Sequence, residues 1–162
     1  WISNRSGSAS LPSDLKGARL TQSNQELTEN SDVILLSVPP ASFSSIEFNA
    51  GDCIIISVMA GVTLERISAA TNSTRVVRAM SSPAAGFGLA YSPWLASPDI
   101  TEGDREVIAS IFQGVGETDE VNDEAHLDMF TAITGPVPGF VALFATTMVE
   151  YAVEKGGLSP SR

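Results

Sequence analysis

The 162-residue chain reads as an α/β protein: a mainly parallel sheet with flanking helices, followed by a long C-terminal helix. Three observations predict this. Continuous Val/Ile/Leu runs, rather than strict alternation, recur at 32–39, 53–61 and 74–80, which suits central strands of a parallel sheet covered on both faces. Segments of helical character separate and follow them, the βαβ pattern with right-handed crossovers. From 140 to 157 the chain is apolar nearly all round, and such a helix needs another surface to bury it.

Taken in order, Trp1-Ile2-Ser3 is a short β-type end, and 13–20 (SDLKGARL) reads as a helix. The run DVILLSVP at 32–39 is a buried strand closed by Pro39 and Pro40; residues before prolines stay extended, and proline cannot continue a ladder. A short helix is expected at 41–49 (ASFSSIEFN). CIIISVMAG at 53–61 is the next strand. Thr63 is a fitting N-cap for the helix 63–71, in which Leu64, Ile67 and Ser68 share a face. TRVVRAM at 74–80 is the third strand, and 87–93 (FGLAYSP) reads as an edge strand before a loop carrying Pro93 and Pro98. The helix 101–116 has Thr101 as cap, Val107, Ile108, Ile111 and Phe112 as its apolar stripe, and Gly114 as its end. A short strand or loop at 117–122 follows, then a helix from Asp123, a glycine-proline break at 135–139, and the long helix 140–157 ended by Gly156 and Gly157.

Composition narrows the function classes. Hydrophobic residues are 43% and charged residues 17%, and the net charge is −10. This is a globular composition, and so acidic a surface repels phosphate backbones, which excludes a nucleic-acid partner. Cys53 is the only cysteine; no internal disulfide can form, and in its apolar run it reads as a small packed hydrophobe. One Cys and one His do not supply a zinc site. No uninterrupted apolar stretch reaches the roughly 18 residues of a membrane span, and no basic-then-apolar leader opens the sequence. The expectation is a soluble, cytoplasmic protein without a membrane partner or a metal. In NDEAHLD at 122–128, the carboxylates opening a helix read as dipole and capping partners.

Three consecutive strands end in small or kinked residues: Val38-Pro39-Pro40, Ala60-Gly61 and Met80-Ser81-Ser82. In an open parallel sheet the carboxyl ends of the strands border the ligand crevice. Spacing alone leaves ordinary strand-to-helix turns as the other reading.

The ordered series SNR, DVILLSVPP, ISVMAGVTLERI, RVVRAM…PAA, DREVIASIFQGVGE and D…TAITG…PGFV resembles pyrroline-5-carboxylate reductase over nearly the whole chain. The resemblance implies a Rossmann-like fold and an NADP-dependent oxidoreductase that reduces an imine in proline biosynthesis. It implies that Ser3, Asn4, Arg5 and Ser6 hold the adenosine ribose and its 2′-phosphate, an arginine with hydroxyls being suited to that charge. It places Val38, Pro39 and Pro40 beside the nicotinamide ribose, Ala60 and Gly61 under the nicotinamide, and Met80, Ser81, Ser82 and Thr134 on the substrate side. The sequence departs from the family pattern where Pro39 replaces a frequent lysine, where Met80-Ser81-Ser82 replaces Met-Pro-Asn, and in TGPVPGF at 134–140, which lacks a serine and a tyrosine hydroxyl.

The family's first strand, with its glycine-rich G-x-G-x-x-G/A pyrophosphate loop, has no counterpart; Gly86-Phe87-Gly88 and Gly114-Val115-Gly116 do not follow a first βαβ strand. The expected division is therefore a Rossmann-like dinucleotide-binding domain at 1–121, without its first βα unit, and the start of a helical dimerisation domain at 122–162. The missing central strand and the apolar last helix both predict a homo-oligomer, a dimer through 140–157. Two other functions stay open: a non-catalytic, truncated Rossmann-like dimerising protein, and a related NADP-linked oxidoreductase with another substrate. Hydride transfer is the cofactor's chemistry, so no catalytic side chain is assigned.

Overall fold

In the computed structural model, which describes residues 1–8, 10, 15 and 17–159, the chain opens with β1 (Ile2–Ser3), paired in parallel with β2 (Leu20–Thr21). The helix expected at 13–20 is not seen: Ser13, Asp14 and Lys16 lie outside the described residues, and Leu20 opens a strand. The helix instead forms one segment later, as α1 (Asn24–Glu29). Its signal was present in SNQE, because the Ser23 hydroxyl accepts from the Glu26 amide at 3.1 Å, which is N-cap chemistry.

The three apolar runs form β3 (Val33–Leu36), β4 (Ile54–Ser57) and β5, which with α2 (Leu64–Thr71) between β4 and β5 (Val76–Ala79) make adjacent parallel strands. Alternate residues face opposite sides. One face packs Ile34, Leu36, Ile55 and Val76 against Val62, just before the cap of α2, and Ile67 within it. The other packs Ile54, Ile56, Val77 and Ala79 against Ile108 and Phe112 of the second covering helix. The Thr63 cap is present, its hydroxyl accepting from the Arg66 amide at 3.3 Å.

After β5 the loop reading fails in an informative way. A 3₁₀ turn at Pro83–Phe87 leads to β6 (Ala90–Tyr91), which pairs not with the main sheet but with a later strand. The segment assigned to a proline-bounded loop is β7 (Trp94–Ala96), antiparallel to β5 at the sheet edge. Pro93 and Pro98 flank this strand rather than break it, as proline does at a sheet edge. Next, α3 (Glu102–Gln113) begins with a full capping box between Thr101 and Asp104. Of its predicted stripe, Ile108 and Phe112 are buried while Val107 and Ile111 are exposed. β8 (Gly116–Glu117) is the partner of β6, and Gly116 is required there: a Cβ would stand 2.0 Å from the Ala90 carbonyl oxygen.

The helices α4 (Glu124–Thr134) and α5 (Val137–Gly156) are separated by only two residues. The expected break at 135–139 is confined to Gly135 and Pro136, and both keep right-handed helical backbone; a proline in a helix's first turn sacrifices no bond. Residues 124–156 thus form one helical run containing an 18-residue window of mean hydropathy 1.5, none of it buried. This is long and apolar enough to cross a membrane by length and composition, contrary to the count of uninterrupted apolar residues. Threonines such as Thr146 and Thr147 interrupt that count without adding charge.

Among the described residues no ladder joins β1–β2 to β3–β4–β5–β7, and a cavity of about 450 Å³ lies between them, lined on one side by Trp1, Ile2 and Ser3 and on the other by residues of β3. Leu35, in the strand bordering this lane, is 55% exposed.

Candidate functional site

Because β3, β4 and β5 are neighbours and parallel, the segments that follow them emerge at one sheet edge. Val38, Pro39 and Pro40 follow β3, Ala60 and Gly61 follow β4, and Met80, Ser81 and Ser82 follow β5. The topology thus brings three of the sequence-derived groups to a common border. Pro39, Pro40, Ala60, Gly61 and Ser81 are exposed, whereas Val38, Met80 and Ser82 are half-buried. Gly61 has φ of 69°, and a Cβ placed there would meet nothing within 4 Å. Its glycine is explained by backbone conformation, and the space above it is open.

The fourth group, Ser3 to Ser6, starts at the end of β1 in the β1–β2 sheet. Ser3 Oγ donates to Asn24 Oδ1 at 2.8 Å, Asn4 Nδ2 donates to the Ser8 carbonyl at 3.1 Å, and Ser6 Oγ donates to that same carbonyl at 2.9 Å. The turn closes with the Gly7 amide on the Asn4 carbonyl at 3.3 Å, Gly7 having φ of 65°. Three of the four side chains are thereby occupied in shaping the turn. Arg5 is exposed and makes no ion pair among the described residues. A rigid turn presenting one free guanidinium fits a phosphate monoester.

Thr134 is placed less favourably. It ends α4, and its hydroxyl donates to the Phe130 carbonyl at 2.7 Å. The α4 residue that reaches the β5 end is Thr131, whose Oγ1 lies 2.7 Å from Met80 Sδ. Sequence reasoning missed it; TAIT offers two threonines, and only the docking of α4 distinguishes them. It also missed Arg78, 2% exposed, whose guanidinium meets Glu124 at 3.2 Å and Asp128 at 2.5 Å.

The opposite, amino-terminal edge of the sheet carries a cavity of about 660 Å³ bordered by Glu29, Asp32, Asp52, Cys53, Arg75 and Asp104. Arg75 is committed to Asp104 at 2.6 Å and also donates to the Asp52 carbonyl, so carboxylates dominate and an anionic ligand is disfavoured. Hydrogen bonds from the Thr101 backbone, followed by Arg75, hold the Asp104 carboxyl below the usual carboxylate range. Cys53 faces this cavity, but its thiol donates to the Ser31 carbonyl at 2.8 Å, and burial followed by the Asp32 charge pushes its pKa up. It is a packed thiol, not a poised nucleophile. Among the described residues no group of three or more His, Cys, Asp or Glu could hold a metal ion.

No family model matches the chain. Among curated proteins it is 31% identical over 146 residues to the pyrroline-5-carboxylate reductase of Methanosarcina acetivorans, covering 86% of this chain and 54% of that protein. It is 30% identical over 166 residues to pyrroline-5-carboxylate reductase 2 of Bacillus subtilis, covering 98% and 59%. In fold it is similar to the 1-pyrroline-5-carboxylate reductase of Streptococcus pyogenes, with a TM-score of 0.80 at 21% identity over 91% of this chain and 57% of the other. The Plasmodium falciparum enzyme solved with NADP bound gives 0.75 at 23% identity, over 88% and 56%. The chain therefore resembles pyrroline-5-carboxylate reductases in sequence and has an incomplete Rossmann-like fold. It spans about half the length of the curated relatives it matches.

Proposed function

We propose that this chain carries the cofactor-binding half of an NADP-dependent oxidoreductase that reduces a cyclic imine, as pyrroline-5-carboxylate reductases do in proline biosynthesis. The observation that carries the reading is the sequence match to those reductases across the very segments that leave β3, β4 and β5 at one sheet edge. When bound, NADPH supplies the hydride; the chain's residues bind, orient and exclude water. Arg5, with the turn Ser3, Asn4 and Ser6 behind it, is assigned to the 2′-phosphate. Val38, Pro39 and Pro40 border the nicotinamide ribose, and the open backbone at Ala60 and Gly61 admits the ring. Met80, Ser81 and Ser82 are assigned to the substrate side, with Thr134 one turn beyond Thr131 on α4.

On this reading residues 1–121 form the dinucleotide-binding domain and 122–162 begin a dimerisation domain. Phe140, Leu143, Phe144, Met148 and Tyr151, all exposed, pack against a second copy rather than lipid. The protein is then a cytoplasmic homodimer acting on a small molecule and needing no metal. A titration with NADPH, with NADH alongside, followed by calorimetry or nicotinamide fluorescence, tests the assignment. Saturable binding that prefers NADPH supports it. No binding at millimolar cofactor selects the other reading, a non-catalytic Rossmann-like chain that dimerises through α5, for which the open lane between β1 and β3 speaks.

A further inference from the structure

We propose that Arg78 is the positioning residue that fixes the helical segment α4–α5 on the sheet domain, and with it the distance between the Met80 loop and the helix that faces it. The proposal deepens the functional reading above but rests on geometry that stands without it. Arg78 lies in the middle of the sheet, paired with Ser57 of β4 and Leu95 of β7. Its side chain is 2% exposed, where an unpaired charge is not tolerated. Both of its partners come from α4: Nη1 donates to Glu124 Oε1 at 3.2 Å and Nη2 to Asp128 Oδ1 at 2.5 Å.

Glu124 and Asp128 are four residues apart, and so stand on one face of the helix. A guanidinium presents its donors in a rigid planar fork that suits bridging such a pair, whereas a lysine offers one compact ammonium on a flexible stem. Glu124 Oε1 also accepts from the Leu64 amide at 2.9 Å, at the start of α2, where free backbone donors await an anion. One carboxylate thus ties three elements together: β5 through Arg78, α2 through its first turn, and α4 itself. Between the two carboxylates Leu127 is fully buried, and one turn on Thr131 touches Met80 Sδ. The docked face is therefore short, while the described part of α5 has no buried residue at all. Lifting α4 off the sheet breaks both ion pairs of Arg78 and the Glu124 bond to the Leu64 amide together, so this contact sets where the helix lies. Both terminal nitrogens of Arg78 are thus engaged, while its buried Nε has no hydrogen-bond partner among the described residues.

The test is hydrogen exchange followed by mass spectrometry on the full chain, comparing the segment 124–134 with β4 and β5. In Asp128→Asn, whose side chain is 62% exposed and outside the core, exchange across 124–134 should rise at least about tenfold while the strands keep their protection. Arg78→Met should do the same more strongly, and Arg78→Lys should fall between. Unchanged exchange of 124–134 in Asp128→Asn overturns the proposal. So does a rise in Arg78→Met or Arg78→Lys shared equally by the strands, which marks Arg78 as ordinary core. If Arg78→Met does not fold, Asp128→Asn alone decides. No cofactor or substrate enters the measurement, so a failed reductase assignment leaves its outcome readable.

Discussion

The turn after β1 shows how a short sequence can hold one side chain ready. Ser3, Asn4 and Ser6 spend their hydrogen bonds on the turn and on α1, and Arg5 is left uncommitted. Replacing Arg5 by alanine should weaken NADPH binding about 10- to 100-fold, the scale of a lost charge-assisted hydrogen bond, with NADH affinity within about twofold; paired titrations check both. Asp104 gives a pH prediction. Its carboxyl is held low by the Thr101 backbone and Arg75, so its stabilisation is complete above the ordinary aspartate range. That stabilisation is lost as pH falls through the lowered folded-state value. Asp104→Asn should cost about 1 kcal/mol near neutrality, the usual worth of a cap, and the gap in Tm to the parent should close in strong acid. Cys53, buried under α1 and hydrogen bonded to Ser31, should resist a thiol reagent in the folded protein and react fully after unfolding. The residues of the turn were singled out by the family resemblance, with which the charge and hydroxyls of SNRS agree. Thr131 and Arg78 were not, since nothing in TAIT or RVVRAM says which side chains α4 will cover.

Among elements, the strands with continuous branched residues and the helices with caps were legible: β3, β4, β5, α2 and α3 stand where their apolar runs and their threonines put them. β7 was hidden by its flanking prolines, and α1 by its small number of apolar residues. The glycine-proline stretch misled in the other direction, because Gly135 and Pro136 sit at a helix start where neither residue costs a hydrogen bond. The stripe on α5 yields a prediction at this scale. Phe144, 68% exposed, should carry part of a two-fold interface. Phe144→Glu should shift sedimentation toward monomer while leaving the circular dichroism of the sheet domain unchanged. A parent chain that is monomeric without detergent, or one that stays in solution only with detergent, removes the dimer.

For the molecule as a whole, the acidic composition, the two covered faces of the sheet and the emergence of three strand ends at one edge are properties that composition and order anticipate. The division between the sheets is not, since it depends on which strands find partners. The strip formed by β1, β2 and α1 shares no ladder with the main sheet. It is held chiefly by Leu27 against the core and by the Cys53 thiol reaching the Thr28 and Ser31 carbonyls. A unit joined to the rest by so few contacts opens on its own, below the free energy of global unfolding. On gentle warming the amino-terminal strip should melt first and take the Arg5 turn with it. On the reading proposed above, cofactor affinity would then fade at temperatures where the far-ultraviolet signal of the four-stranded main sheet is still intact, and a dinucleotide spanning both parts would act as a thermal brace of the fold.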